Sequence, residues 1–423
     1  MPGNTTGRCI VRLMVIVACC FPGSFAQGQP FEPGQLEARQ TTRPATAPTV
    51  FTHPAVEVRG AWMTSRDMLQ GRDAIAKQLD RLRDANFNTL LLDCWFRGYA
   101  GFPGSDVAPL YPQLEPDLFG WIVEQARARG LAVHAWPEYG FYAYHATDPD
   151  KDESRGPLLT KHPELTAVDA AGRAALVNPQ FGAFYSLCPS NPKSHALLGQ
   201  IIVDCLKRYP AVSGVNLDRI RYPDADYCFC EYCREHFRRD SGIELKRYVE
   251  GSPEARKLLD WRREQTAVAV QTIRSMIREV RPGLPITAYV VGPFEMDSKA
   301  QGWDLWAQRG LVEGLAVSMY GADIEPAARR AVELLGDKRG VLIGALNAGQ
   351  KTDVFVGNVE IARRYAPLGQ FTWYVGDVID DVDGLRAGPY ARPARSSIEP
   401  ARPSIDSPRS SIEPARASIQ PPR

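Results

Sequence analysis

Short runs rich in β-branched and aromatic residues recur eight times between residues 56 and 377, and this repetition constrains the fold more than any other feature. Each run is separated from the next by a loop and usually by a stretch in which apolar residues recur every three or four positions. Alternation of strand and helix periods is typical of parallel sheets. The predicted strands are residues 56–64, 89–95, 131–138, 212–218, 286–292, 315–320, 341–346 and 371–375.

Eight strand-then-helix units predict a (β/α)8 TIM barrel with long loops after the strands. An open doubly wound sheet is the alternative, but the chain lacks the glycine-rich fingerprint of its dinucleotide-binding examples. In a (β/α)8 barrel the functional groups lie at the carboxyl ends of the strands. The residues that follow each run are therefore candidates for a site.

The amino-terminal end predicts export. Residues 1–26 contain Arg8 and Arg12, then a short apolar stretch and a small-residue cleavage site, as a secretory signal does. Cys19 ends a sequence that also fits a lipoprotein box, so a lipid anchor at that cysteine is the alternative. Residues 27–55 are rich in proline and polar residues and predict a flexible leader. We expect a secreted or periplasmic protein, or a lipoprotein, without a transmembrane segment.

The carboxyl-terminal end predicts disorder. Residues 387–423 contain Ser-Ser-Ile-Glu-Pro-Ala-Arg at 396–402 and again at 410–416, with several further prolines and few large apolar side chains. Such a segment cannot bury enough surface to offset its ordering entropy. We expect one folded domain over residues 56–386, followed by a solvated tail.

Charge argues against a nucleic-acid partner. Fifty basic residues and 49 acidic residues leave a formal net charge of +1, without the excess of positive charge that phosphate binding requires. The basic residues of both ends leave the folded body mildly acidic. This balance suits a neutral or sugar-like ligand.

Two acids end neighbouring predicted strands. In the third run, a period of two places His134, Trp136 and Glu138 on the face toward the barrel interior, with Glu138 at the mouth. In the fourth run the same period turns Asn216 and Asp218 inward. A pair of carboxylates flanked by aromatic residues is what glycoside hydrolysis needs, because one acid protonates the leaving oxygen while the other attacks or activates water.

A structural interpretation of the same acids is also open, in which Asp218 pairs with Arg219 or Arg221 and Glu138 faces solvent.

Aromatic residues crowd the same predicted strand ends. Aromatic faces bind the C–H surfaces of sugars, although ordinary barrel packing would account for about half of these residues. The candidate substrate-binding residues are Arg221, Tyr222, Trp136, Tyr139, Trp303, Tyr320 and Trp373.

A cluster of cysteines follows the fourth strand: Cys228, Cys230 and Cys233. Three thiolates so close together can bind one Zn2+ tetrahedrally when a fourth ligand joins them, and Cys188 is the first candidate for that position. His236 and Cys94 are the alternatives. We predict a structural zinc site, since four thiolates leave no open position for water, but in an exported protein disulfides are the competing interpretation.

Several sequence elements resemble the glycosyl-hydrolase-like family ten domain. They are Arg-Gly-Ala-Trp (59–62), His-Ala-Trp-Pro-Glu-Tyr-Gly-Phe (134–141), Lys-His-Pro-Glu (161–164), Leu-Cys-Pro-Ser-Asn-Pro (187–192), Gly-Val-Asn-Leu-Asp-Arg-Ile-Arg-Tyr-Pro (214–223), Gln-Gly-Trp-Asp-Leu-Trp (301–306) and Ser-Met-Tyr (318–320). The resemblance implies a bacterial exported or lipoprotein barrel that acts on a glycan, such as cell-wall glycan strands. The Cys-x-Cys-x-x-Cys run is also similar to zinc-binding loops of certain barrel β-galactosidases. The chain has Gln301-Gly302-Trp303-Asp304 where many relatives carry Gln-Asp-Trp, so no role follows for Asp304.

These observations lead to one main hypothesis and two alternatives. The main hypothesis is an exported glycoside hydrolase with Asp218 and Glu138 as the catalytic pair, Glu138 as the expected proton donor and Asp218 kept ionised beside Arg221. The first alternative is a barrel that binds carbohydrate without turnover. The second is a catalytic zinc with water as its fourth ligand.

Overall fold

In the computed structural model, residues 51–148, 154–179 and 181–399 are described. Their strands are β1 (Val58–Met63), β2 (Thr89–Asp93), β3 (Trp95–Phe96), β4 (Tyr99–Ala100), β5 (Ala132–Trp136), β6 (Tyr142–Ala146), β7 (Leu176–Asn178), β8 (Gly182–Ser186), β9 (Gly214–Leu217), β10 (Ile286–Val290), β11 (Gly314–Ser318), β12 (Leu342–Asn347) and β13 (Gly369–Trp373).

The α-helices of the same residues are α1 (Ser65–Met68), α2 (Arg72–Asp84), α3 (Leu118–Ala128), α4 (Gly156–Lys161), α5 (Pro192–Arg208), α6 (Glu231–Ser241), α7 (Pro253–Val280), α8 (Trp303–Gln308), α9 (Glu325–Leu335), α10 (Thr352–Tyr365), α11 (Val375–Val378) and α12 (Val382–Ala387). Short 3-10 turns cover Pro163–Leu165 and Gly336–Val341. In the ranges described, no helix combines the length and the apolar composition that crossing a membrane requires.

Eight strands close into an all-parallel barrel in the order β1, β2, β5, β9, β10, β11, β12, β13. The barrel closes because β1 pairs with β2, where Gly60 is opposite Thr89, and with β13, where Val58 is opposite Gly369. Each of the eight predicted runs overlaps one barrel strand, so the predicted (β/α)8 fold is confirmed.

The barrel interior follows the predicted period of two. Trp136 packs inside with Trp62, Phe371 and other fully buried side chains, while Val133 and Ala135 of the same strand pack outside against the helices. Polar groups also lie inside the barrel, where the Trp62 indole N–H donates to Asn216 Oδ1 at 3.0 Å.

His134 occupies the lower interior because Gly214, opposite it on β9, has no side chain. A Cβ atom added at Gly214 would lie 2.4 Å from the His134 ring. The glycine therefore sets the space that a fully buried imidazole occupies between β5 and β9.

The outer helices begin where the sequence supplies caps. The side chain of Asn191 accepts a hydrogen bond from the Lys193 amide, and Pro192 takes the first helical position of α5. Ser252 caps α7 in the same way through the Ala255 amide. These two helices pack against each other along their apolar faces.

The loop after β5 contains a small sheet that the sequence analysis did not predict. Strands β6, β8 and β7 form it in that order, and all its pairs are antiparallel. A second extra pair, β3 with β4, lies in the loop after β2. Both additions follow the carboxyl ends of barrel strands, where long loops were expected.

The predicted boundaries of the folded domain need correction at both ends. Tyr390 is completely buried, its hydroxyl accepts from Gln370 Nε2 at 2.7 Å, and the Arg59 guanidinium lies 4.5 Å from its ring centre. Residues 388–399 therefore pack on the barrel. The buried Tyr390 ring and several backbone hydrogen bonds hold them there, although their composition is mainly polar. Residues 51–55 also make contacts, through the Thr52 carbonyl and Arg363 Nη1 at 2.7 Å.

The predicted export signal, the lipid anchor at Cys19, the rest of the leader and residues 400–423 of the tail lie outside the described residues.

The packing of Gly214 generates a stability prediction. Gly214→Ala should lower the free energy of unfolding by about 1–3 kcal/mol, because the new methyl group overlaps the buried His134 ring. Gly340→Ala is the matched control, since a Cβ there meets nothing within 4 Å, and it should change stability by less than about 0.5 kcal/mol. Urea unfolding followed by circular dichroism measures both, and equal effects would contradict the packing argument.

Candidate functional site

Three acids lie at the carboxyl ends of three adjacent barrel strands. Asp93 is the last residue of β2, Glu138 follows β5 by two residues, and Asp218 comes directly after β9. The strands β2, β5 and β9 are neighbours in the barrel, so the acids share one sector of its mouth. The sequence predicted Glu138 and Asp218 at this place, and the structure adds Asp93.

Glu138 is held by the residue that follows Asp218. Arg219 Nη1 donates to the Glu138 carbonyl at 2.7 Å and lies 3.4 Å from its Oε1. The Arg219 backbone is left-handed, with φ of 48°, which is uncommon for a residue other than glycine. Its guanidinium also lies 5.1 Å from the Tyr139 ring centre. The Glu138 carboxylate therefore sits beside a fixed positive charge.

Asp218 is almost completely buried beneath the mouth. Its Oδ2 accepts a hydrogen bond from Trp136 Nε1 at 3.0 Å, while Oδ1 has no hydrogen-bond partner in the described part of the chain. Burial raises the pKa of Asp218 to about 7, and Arg219 and Arg221 only partly oppose that effect. The prediction that Asp218 stays ionised beside Arg221 is therefore wrong, because desolvation outweighs the arginine charges.

Asp93 is the acid that the sequence analysis missed. Its carboxyl group is fully buried, Oδ1 accepts from the Trp95 amide at 3.2 Å, and Oδ2 has no hydrogen-bond partner among the described residues. Burial, with the Glu138 charge adding to it, raises the pKa of Asp93 well above its usual range. The period of two along β2, which turns Leu91 and Asp93 inward, was the available signal.

A cavity of about 360 Å3 opens above the acids. Glu138 lines it, whereas the buried Asp218 is not among its lining residues. Aromatic rings and guanidinium groups form most of the wall, in part from the small sheet after β5. The aromatic lining residues are Tyr111, Tyr139, Tyr142, Phe181, Phe184, Trp373 and Tyr374, and the basic ones are Arg66, Arg97, Arg219 and Arg221.

The predicted substrate-binding residues divide into two groups. Arg221, Tyr139 and Trp373 line the cavity. Trp136 lies fully buried under it, where its indole N–H holds Asp218. Tyr320 packs beside Tyr289, with ring centres 6.3 Å apart, and does not border this cavity.

Two predicted binding residues belong to the protein interior, and their assignment to the cavity was wrong. Trp303 is fully buried in α8, where its ring packs in the main hydrophobic core. Tyr222 is fully buried beside the cysteine cluster, with its hydroxyl 2.6 Å from Ser190 Oγ. Both side chains are large and mainly apolar, so their burial stabilises the folded protein. Their position in a motif does not show whether such a side chain packs in the core or contacts a sugar.

The predicted cysteines come together. Their sulfur atoms lie within 4.8 Å of one another, and the set is Cys188, Cys228, Cys230 and Cys233. The Sγ atom of Cys188 is 3.4 Å from that of Cys233 and 3.5 Å from that of Cys230. His236 is not part of the group, because its Nδ1 is 2.9 Å from the Tyr232 carbonyl. This group can hold a metal ion.

The surroundings of the cluster fit a negatively charged metal centre. Arg262 is buried, and its Nε and Nη2 atoms have no hydrogen-bond partner within the described ranges. Its guanidinium interacts electrostatically with Cys228 and Cys233 and lies 5.3 Å from the Tyr222 ring centre. One divalent cation with four thiolates carries net negative charge, which would compensate the buried guanidinium.

The cysteine cluster also supports the mouth of the barrel. Ser190 Oγ lies 3.3 Å from Cys233 Sγ and 2.6 Å from the Tyr222 hydroxyl, so Tyr222 is packed directly on the cluster. Arg219 and Arg221 precede Tyr222 in the same loop and reach the cavity. The packing of Tyr222 on the cluster therefore helps to hold the loop in which these two arginines lie.

The sequence of residues 57–338 matches the family described as Glycosyl hydrolase-like 10. Glycosyl hydrolase DigH of Escherichia coli (strain K12) is 24% identical over 314 residues, and the match covers 67% of this chain. The chain spans slightly less than two thirds of that relative, at 66% of its length.

Solved structures share the fold at low sequence identity. The glycoside hydrolase domain of PgaB (BpsB) from Bordetella bronchiseptica superimposes with a TM-score of 0.59 and 14% identity, over 79% of this chain and 98% of that one. The catalytic domain of β-amylase from Paenibacillus polymyxa gives a TM-score of 0.56 and 13% identity, over 78% of this chain and 95% of that one. These similarities show the barrel fold.

The hydrogen bond between Trp136 and Asp218 generates a prediction about proton affinity. Trp136→Phe removes a donor that favours the carboxylate, so the pKa of Asp218 should rise further above about 7. Trp62→Phe is the matched control, because the Trp62 indole donates to Asn216 instead of an acid. Carbon-13 NMR of the Asp218 carboxyl group during a pH titration measures both variants. A lower pKa in Trp136→Phe would contradict this assignment.

Proposed function

The chain belongs to the glycosyl hydrolase-like 10 family, and from this membership we propose that it hydrolyses O-glycosidic bonds of a polysaccharide with Asp218 and Glu138 as the catalytic pair. The observation that supports this function most is the acid arrangement. Glu138 borders an aromatic-lined cavity, and Asp218, at the end of the next barrel strand, has a pKa raised to about 7. Glycoside hydrolysis usually depends on two acids whose different environments give them different pKa values.

In the proposed mechanism Asp218 is the proton donor. A carboxyl group with a pKa of about 7 is protonated in a large fraction of molecules near neutral pH and can transfer its proton to a leaving oxygen. Trp136 holds Oδ2, while Oδ1 has no competing partner among the described residues. Glu138, which faces the cavity, is the carboxylate that attacks the anomeric carbon or activates water.

Arg219 positions Glu138 for that role. Its Nη1 donates to the Glu138 carbonyl at 2.7 Å and lies 3.4 Å from Oε1. Asp93, whose pKa burial raises well above its usual range, keeps its proton and so adds no negative charge beside Glu138. The Arg219 contacts fix the carboxyl group of Glu138 before substrate arrives, which lowers the reorganisation needed during the reaction.

The lining of the cavity indicates the substrate class. Aromatic rings such as Tyr139 and Trp373 offer apolar faces to sugar rings. Four arginines line the cavity together with one glutamate, so the wall favours a glycan that carries acidic groups over a neutral one. We place cell-wall glycan strands first among the candidate substrates, in agreement with export of the chain, which the sequence of residues 1–26 favours.

For the cysteine cluster we propose a structural zinc ion. Four sulfur ligands with no open position are typical of structural zinc, and the buried Arg262 guanidinium matches the charge of such a centre. The ion would fix the loop that carries Arg219 and Arg221. A catalytic zinc is disfavoured, because Cys188 completes the set of four thiols and leaves no position for water.

The catalytic proposal gives a directional pH dependence. The kcat/KM of the wild type should fall as the pH rises through about 7, because Asp218 loses the proton that it must donate. Asp218→Asn cannot donate, so turnover of a cell-wall glycan or another polysaccharide should fall by about 10^2–10^4-fold. Product formation, read by mass spectrometry across a polysaccharide panel, measures both effects.

Asp304→Asn is the control for the loss of one carboxylate. Asp304 pairs with Arg263 at 2.6 Å and is not part of the cavity wall, so this variant should keep its activity. Full activity in Asp218→Asn would remove Asp218 from the mechanism. Saturable glycan binding without any product from the wild type would favour the alternative, a barrel that binds carbohydrate without turnover.

The zinc proposal predicts a metal stoichiometry. The purified protein should contain about one zinc per chain, and Cys228→Ala should lose it together with thermal stability, because three thiolates remain around the position. Cys205→Ala is the control, since Cys205 is buried but lies outside the cluster. Elemental analysis with thiol counting makes the measurement. Disulfide bonds among the four cysteines, with no metal, would overturn the zinc assignment.

A further inference from the structure

The carboxyl-terminal sequence is built from a seven-residue repeat. Residues 395–401 read Arg-Ser-Ser-Ile-Glu-Pro-Ala, and residues 409–415 have the identical sequence. Residues 402–408 and 416–422 share the arginine at position one, serine at position three and isoleucine at position four. Position five is glutamate, aspartate, glutamate and glutamine in the four successive repeats. Only the first repeat falls within the described residues, up to Glu399.

The first repeat is anchored to the barrel by its backbone and its second serine. The Arg395 amide donates to the Ala55 carbonyl at 2.9 Å, and the Glu57 amide donates to the Arg395 carbonyl at 2.8 Å. Ser397 Oγ donates to the Leu368 carbonyl and accepts from the Val58 amide at 3.2 Å. These contacts fix the repeat at the amino-terminal ends of β1 and β13.

The isoleucine and the glutamate of the repeat reach the barrel interior. Ile398 packs against the cluster of interior side chains that includes Val58 and Phe371. Glu399 Oε1 lies 2.7 Å from His134 Nε2, and the His134 side chain is fully buried. The glutamate side chain is 21% exposed, so it lies between the buried imidazole and solvent. This end is opposite the candidate active site.

The contacts use the positions that the other repeats keep. Serine at position three, isoleucine at position four and a carboxylate at position five make the side-chain contacts of the first repeat, and the backbone makes the others. The third repeat presents the same chemistry without any change, and the second retains it with Asp406 in place of the glutamate. A later repeat reaches the site by looping out the residues before it, and the entropic cost of a loop grows only logarithmically with its length.

We propose that the amino-terminal end of the barrel is a binding site for this repeat, and that the second and third repeats of the same chain occupy it when the first one leaves. The tail then supplies several interchangeable ligands for one site. This inference does not depend on the proposed catalytic function.

Full-length variants test the proposal by disabling one or more repeats. Each repeat is disabled by replacing its isoleucine with serine and its acid with the corresponding amide; the pairs are Ile398 and Glu399, Ile405 and Asp406, and Ile412 and Glu413. One variant disables the first repeat, a matched control disables the third, and a combined variant disables all three. Nitrogen-15 NMR of the His134 ring reports its hydrogen bond to a carboxylate. The melting temperature reports the stability that an occupied site adds.

Both variants with a single disabled repeat should keep the His134 signal and the melting temperature of the wild type, because another repeat takes the site. The combined variant should lose the signal and melt several degrees lower, or fail to fold. Loss in the first-repeat variant as complete as in the combined variant would overturn the proposal. So would a His134 signal that persists in the combined variant, or one that returns in the first-repeat variant only as the protein concentration rises, since that occupant would be another copy.

A labelled peptide with the sequence of residues 408–416 provides a second readout if the combined variant folds. The peptide should bind the combined variant in fluorescence anisotropy, because the site is empty of its own ligand. A control peptide with the same isoleucine-to-serine and glutamate-to-glutamine changes should bind at least tenfold more weakly. Equal binding of both peptides would show that the site does not recognise the repeat.

Discussion

The hydrogen bond from Trp136 to Asp218 is the interaction on which the rest of the site depends. It joins the third barrel strand to the fourth at the level where both strands end, and it leaves one carboxyl oxygen of a buried acid without a partner in the described part of the chain. Next to it, Gly140 brings two loops so close that an added Cβ would lie 2.0 Å from the Asp218 carbonyl. Arg219 can therefore turn back and hold Glu138. A closed barrel supplies the rigidity that keeps these groups in place.

Buried charged and polar groups have partners at three places in the molecule. At the mouth, Arg219 faces Glu138, and burial raises the pKa of the neighbouring Asp93 and Asp218. Beside the mouth, the buried Arg262 guanidinium lies close to four thiols that fit a metal ion. At the opposite end, His134 meets the carboxylate of the first tail repeat. Since unpaired buried charges are strongly unfavourable, each of these pairs limits how the surrounding loops and termini can pack.

The strand periodicity was sufficient to predict the barrel and two of its acids. A period of two placed Glu138 and Asp218 at neighbouring strand ends, and the close spacing of Cys228, Cys230 and Cys233 indicated a shared site that Cys188 completes. Asp93 was missed because it ends an apolar run and has no motif around it. Its position near Glu138 depends on the pairing of β2 with β5, which the residues around Asp93 do not show. The pKa of Asp218 was predicted in the wrong direction, because nearby arginines are visible in a sequence and desolvation is not.

Other errors arose where burial decides the use of a residue. Trp303 and Tyr222 belong to motifs at the right end of the barrel, yet both serve as packing groups. The tail boundary was placed too early because composition alone does not show that Tyr390 fits between Arg59 and Gln370, or that a short repeat fits the lower end of the barrel. The most direct test of the catalytic site is a crystal structure of the Glu138→Gln variant with a bound oligosaccharide. The account predicts a glycosidic oxygen within hydrogen-bonding distance of Asp218 and sugar rings against Tyr139 or Trp373. A sugar bound elsewhere, or separated from Asp218 by packed side chains, would contradict it.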